Sequence, residues 1–100
     1  MILFPNWADS EDHAERAKLR LRFLVHYLSS FVSASSSVDA FADEIGVSTS
    51  TIYMAQTRGR FTRSVATTIE AKFGEKTGVT RDMLTNPNFD ILRDGDDGEL

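Results

Sequence analysis

An all-α fold, a compact bundle of four to five helices, is predicted for this chain of 100 residues by three observations. Apolar residues recur at intervals of three and four through most of its length. Gly46 and Gly59 are each followed within three residues by a hydroxyl residue, Ser48 and Thr62, which is the pairing of a helix stop with the next N-cap. No stretch shows the two-residue alternation of a half-buried strand, although Phe89-Asp90-Ile91-Leu92 leaves room for a short extended piece. With 41% apolar residues, ten aromatics and only two prolines, the chain has material for one core and few breakers.

The elements follow in order. From Ser10 to Val32 the helical pattern is carried by Leu21, Leu24, Leu28 and Phe31, widened by Leu19, Phe23, Val25, Tyr27 and Val32. Ser10 is the expected N-cap, and Glu11 and Asp12 suit the positive end of the helix dipole. The serines at 33 and 35–37 interrupt, because serine hydroxyls compete for backbone hydrogen bonds and favour turns and caps. Ser36 with Asp39 then fits a capping box for a short helix in which Val38, Phe41, Ala42 and Ile45 face inward and Gly46 is the stop. Ser48 caps a third helix over residues 49–57, with Ile52 and Ala55 buried. Thr62 starts a fourth that buries Val65, Ala66, Ile69 and Phe73 and is expected to end at Gly74. Thr80 caps a last turn containing Met83 and Leu84, which Asn86-Pro87 closes. The division expected is an N-terminal extension and helix start over 1–18, a helical domain over 19–87 and an acidic, disordered tail over 88–100. The apolar residues Ile2, Leu3, Phe4 and Trp7 either fold back on the core or dock on a partner.

Composition excludes several classes. Without cysteine there is neither a disulfide framework nor a thiolate metal site, which fits an intracellular protein. His13 and His26 are thirteen apart and suggest no metal site. No targeting segment is visible at the N-terminus, and Phe23 to Val38, free of Asp, Glu, Lys and Arg, is too short and too rich in serine to span a bilayer. There is no Gly-x-Ser-x-Gly, no phosphate-cradling glycine loop and no nucleophile–base pairing, so neither an enzyme nor a cofactor is expected.

The net charge of −4 is unevenly distributed. Residues 1–46 hold four Lys/Arg against seven Asp/Glu, residues 47–89 six against three, and residues 90–100 one against five. A basic middle between acidic flanks can meet phosphate whatever the average.

The basic part opens with the most informative segment, Val38 to Thr57. Two helices joined by three or four residues around a glycine must cross steeply, and only small side chains permit the approach, which accounts for Ala42 and Gly46 together. The segment resembles the helix-turn-helix of Cro and phage-repressor proteins: a small residue in the first helix (Ala42), a left-handed glycine (Gly46), a hydrophobe after it (Val47), and apolar anchors in the second helix (Ile52, Ala55), all at the family spacing. Thr57-Arg58-Gly59-Arg60-Phe61 is similar to the loop after the recognition helix. Gly78 to Leu84 is similar to the closing segment of a prophage Cro-like subgroup that includes antitoxin-type regulators. The likeness covers Leu19 to Pro87 and implies a lambda-repressor-like bundle whose third helix enters the major groove of double-stranded DNA.

With Ile52 and Ala55 inward, the base-reading candidates are Ser48, Thr49, Ser50, Tyr53, Met54 and Thr57. This face lacks Arg, Lys and Asn, so no operator can be spelled from it. The phosphate candidates are Arg58, Arg60 and Arg63, with no acidic residue between Thr49 and Ile69, and the amide-rich helix starts at Ser36, Ser37 and Thr62. The expected protein is a cytoplasmic regulator, nucleoid-associated when bound, that occupies a palindromic operator as a homodimer, because one short helix reads only a few base pairs. The alternative is a helical protein-interaction module, antitoxin-like or partner-binding, in which DNA contact is lost or secondary.

Overall fold

The computed structural model of the chain describes residues 2–35 and 37–89. Among them the architecture is all-helical: a 3-10 helix at Asn6–Ala8, then α1 (His13–Ser29), α2 (Val38–Ile45), α3 (Thr49–Arg58), α4 (Arg63–Thr77) and α5 (Arg81–Thr85). No helix among the described residues is long and apolar enough to cross a membrane.

One core joins all five α-helices. Leu21, Leu24, Val25 and Leu28 of α1 meet Phe41, Ala42 and Ile45 of α2, Ile52 and Ala55 of α3, Ala66, Ile69 and Phe73 of α4 and Leu84 of α5, with Phe61 and Val79 from the connections. Phe41 and Phe73 pack with ring centroids 5.7 Å apart. The loop residue Phe61 is locked from both sides of its chemistry: its ring is buried, and its N–H donates to the Leu84 carbonyl at 2.9 Å. That bond ties the α3–α4 connection to the last helix.

Each of the five helices starts on a side-chain cap: Asp12, Ser37, Ser48, Thr62 and Thr80 accept from the backbone N–H groups of Glu15, Ala40, Thr51, Val65 and Met83. Three of these caps stand where the spacing predicts them, at 48, 62 and 80. The other two are displaced. Asp12, not Ser10, begins α1, and Ser10 instead accepts from the Asp12 N–H at 3.1 Å. The N-cap of α2 is Ser37, one residue later than the expected Ser36.

The far ends differ more. α1 stops at Ser29 rather than Val32 because the hydroxyls of Ser29 and Ser30 turn back onto the carbonyls of Val25 (2.7 Å) and Tyr27 (2.6 Å). The chain then tightens, with Phe31 and Val32 N–H groups donating to carbonyls three residues back. Phe31 is thereby carried out of the core and is 45% exposed, against its expected inward position. α4 runs through Gly74 to Thr77 and ends on Gly78 (φ 82°). Gly74 has another use: a Cβ there would stand 3.1 Å from the Val79 carbonyl oxygen, so its missing side chain makes room for the returning chain.

Both ends of the described residues join the domain. Ile2 and Ala8 are buried, Phe4 packs edge-on against Phe23 at 5.8 Å and also faces Phe89, and Leu3 and Trp7 remain exposed. Arg20, 7% exposed, donates to the Pro87 carbonyl at 2.9 Å and holds its guanidinium 4.5 Å above the Phe4 ring. Asn88, at the start of the segment read as a tail, is buried and donates through Nδ2 to the His13 carbonyl at 2.9 Å. Phe89 lies in a turn; the rest of the expected extended piece and the acidic tail fall outside the described residues.

Two glycines separate strain from packing. Gly46 (φ 77°) has nothing within 4 Å of an added Cβ, whereas at Gly59 (φ 85°) a Cβ would stand 3.3 Å from Lys18 Cγ and 3.4 Å from Ala17 Cβ. Gly46→Ala is expected to lose about 1 kcal/mol, the cost of a left-handed alanine, and Gly59→Ala about 2 kcal/mol, since α1 must also give way. Urea unfolding of the two variants checks the order.

Candidate nucleic-acid interface

The site is built from the α2–α3 pair and what surrounds it. α2 ends in a left-handed Gly46, with the Gly46 N–H donating to the Asp43 carbonyl (3.2 Å) and the Val47 N–H to the Ala42 carbonyl (3.0 Å). This double closure turns the chain within Gly46-Val47-Ser48, so that α3 leaves at once in a new direction. Ala42 is buried where the helices cross, and Ile52 and Ala55 pin α3 to the core. A direct clasp spans the two helices: Thr49 Oγ1 donates to Asp39 Oδ1 at 2.7 Å.

With about 100° per residue, Ser50, Tyr53, Met54 and Thr57 fall within about 100° of one another on the side of α3 opposite Ile52 and Ala55. All four are exposed, Tyr53 at 53% and Met54 at 49%. The other two base-reading candidates are engaged within the fold. Ser48 caps Thr51 and shares a hydrogen bond with its hydroxyl at 3.0 Å, and the Thr49 hydroxyl is held by Asp39. Thr57 donates its hydroxyl to the Tyr53 carbonyl at 3.1 Å, which leaves its oxygen as an acceptor. The outward groups with unused polar or apolar capacity are therefore Ser50, the Tyr53 phenol, the Met54 thioether and the Thr57 oxygen.

Cations stand on both sides of this uncharged face. Arg58 ends α3, Arg60 sits in the following turn and Arg63 opens α4; all three are exposed, and none makes an ion pair among the described residues. A small cleft of about 60 Å³ joins Arg58 and Arg60 to Met54 of the reading face, with Thr62 also in its lining. On the opposite side a groove of about 240 Å³ runs between α3 and α1, lined by Tyr53, Gln56 and Thr57 and by Glu15, Lys18 and Arg22. Lys18 and Arg22 are exposed and unpaired among the described residues. Five cations thus border α3 against two nearby carboxylates, Glu15 in the groove and Asp39 at the helix start.

Lys18 and Arg22 escaped the sequence reading. Their spacing of four residues puts them on one stripe of α1, a legible signal, but only the packing of α1 on α3 brings that stripe beside Tyr53. Of the amide-rich helix starts, Thr62 is exposed beside the arginines; Ser37 is half-buried at the start of α2, and Ser36 lies outside the described residues. No group of three or more His, Asp or Glu side chains among the described residues is placed to hold a metal ion.

Comparison of the chain with protein-family models, with curated proteins and with solved structures finds no match. The chemistry of the site is accordingly that of its own residues: an uncharged, partly apolar helix face flanked by unpaired cations.

Because Ser48 satisfies the first turn of α3, Ser48→Ala is expected to cost about 1 kcal/mol and Ser48→Gly a few tenths. Thermal unfolding of the pair measures this, and equal losses in both variants would sink the capping role.

Proposed function

We propose that this chain is a sequence-specific DNA-binding regulator, a repressor of the Cro type, that lays α3 in the major groove and occupies a palindromic operator as a homodimer. The observation that carries the reading is the arrangement around α3: Ser50, Tyr53, Met54 and Thr57 face outward between Lys18 and Arg22 on one side and Arg58, Arg60 and Arg63 on the other. A duplex presents phosphate ridges on both sides of its major groove, so a reading helix needs cations flanking it rather than on it. The Tyr53 phenol and the hydroxyls can meet base edges, and Met54 and the threonine methyl can meet a thymine methyl. Repression follows from occupancy of promoter DNA, in the cytoplasm at the nucleoid.

One observation favours a second reading, a protein-interaction module: α3 turns no Arg, Lys, Asn or Gln straight outward, so base discrimination rests on weak readers. The two readings part in one experiment. Selection from random duplex DNA, followed by affinity against salt, is expected to return a palindromic consensus with a log–log slope of roughly −9, for two subunits each using five cations. Arg58→Ala/Arg60→Ala/Arg63→Ala should flatten most of that slope and weaken all sequences alike. Lys18→Ala/Arg22→Ala should reduce the slope further without changing the consensus, whereas Tyr53→Ala or Met54→Ala should relax it, at about 1–3 kcal/mol per lost contact. No enrichment, with equal weak binding by wild type and arginine variant, would overturn the regulator and favour the interaction module.

A further inference from the structure

The side of α1 away from Lys18 and Arg22 carries an aromatic ladder that the proposed DNA contact does not use. Trp7 of the 3-10 helix stands edge-on to Phe23 (6.2 Å), Phe23 stacks on Tyr27 (5.8 Å, 14° between planes), and Tyr27 meets Phe31 edge-on (5.3 Å). The inner rungs, Phe23 and Tyr27, are half-buried, while the ends are open, Trp7 at 54% and Phe31 at 45% exposure. The core beneath the ladder is built without the end residues: Phe23 and Tyr27 pack against it, while Trp7 and Phe31 are not among its buried residues.

We propose that this ladder is the face through which two copies of the chain pair. Three arguments select a second copy over other occupants. From Phe23 to Val38 the sequence has no Asp, Glu, Lys or Arg, and near Trp7 the Asp9 carboxylate is paired with Arg16 (3.7 Å), so the ladder has no net charge to offer a phosphate or a charged peptide; it calls for a partner equally neutral, and under a two-fold axis the same ladder is one. The size also fits. At 150–250 Å² per aromatic side chain the exposed part amounts to roughly 300 Å². That is about two-thirds of the apolar area one partner contributes to an interface of about 800 Å² per side, of which about 56% is apolar. Placement is the third argument: around α1, Phe23 and Tyr27 lie between about 100 and 180° from Lys18 and Arg22, so pairing leaves the cations uncovered. The need for two half-sites rests on the DNA reading above; the ladder and its area do not. A face of this size gives a weak pair, with dissociation in the micromolar range, that two adjacent half-sites on DNA would consolidate.

Sedimentation equilibrium of the full chain without DNA, from low micromolar to near-millimolar concentration, tests the pairing together with the emission of Trp7, the chain's single tryptophan. The expected result is a mass rising from monomer to dimer with a parallel blue shift of Trp7. Phe31→Glu, which keeps the tryptophan, should hold the protein monomeric with red-shifted emission and unchanged far-ultraviolet dichroism, and Trp7→Ser should weaken the pair at least tenfold. A wild-type mass that stays monomeric throughout overturns the proposal. So does a dimer that both substitutions leave intact, since it would use another face. A blue shift that appears only with phosphatidylcholine vesicles would give the ladder to lipid instead. These readouts contain no DNA, so their failure leaves the DNA reading standing, and a failed DNA selection leaves them interpretable. With an operator in hand, Phe31→Glu should lower affinity for the two-half-site duplex about a hundredfold and leave a single half-site unaffected.

Discussion

The close approach of α1 to the C-terminal end of α3, at Gly59, governs the geometry of the site. Gly59 is buried against Ala17 and Lys18, where an added Cβ would be tight, and has a backbone angle that side chains resist. Because α3 ends there, Arg58 and Arg60 together line the cleft beside Met54, while Lys18, whose stem packs at the contact, lines the groove beside Tyr53. Charge placement here is a by-product of helix packing, and the packing is allowed by one missing methyl group.

What could be read in the sequence is what local physics decides. Ala42, Gly46, Ser48, Ile52 and Ala55 lie within fourteen residues and specify a turn, a cap and a buried stripe; each occupies the predicted role because each role depends only on near neighbours. Where a role depends on the chain's return, local reading errs. Gly74 has the composition of a helix stop, but α4 runs on through Glu75 and Lys76 to the buried Thr77, and the glycine serves the passing Val79 carbonyl. Phe31 has the period of a core residue, yet the serines behind it end the helix before that period can be used. Lys18 and Arg22 have no local signature of their role, which comes from a neighbour about thirty residues away in sequence.

The hydroxyl residues show the same division within the candidate site. Ser48, Thr49 and Thr57 share composition and region with Ser50, and sequence alone ranks them equally as readers of a ligand. In the fold three of them hold backbone or carboxylate partners, so the stiffness of α3 and its junction with α2 draw on the residues that the spacing points outward. The face left for recognition is smaller and more hydrophobic than its composition suggests, dominated by Tyr53 and Met54.

The clamp at the chain ends bears on how the domain is made. Arg20 is joined to Pro87 and His13 to Asn88 across 67 and 75 residues, and Phe4 meets Phe89. α1 is made well before its partners at this end, which lie more than sixty residues later in the chain. Closing so long a loop is entropically unfavourable until the intervening helices have condensed, so α1 must wait with one flank bare. Folding of this small domain is therefore completed as a single event once the segment around Pro87–Phe89 has been made, rather than helix by helix.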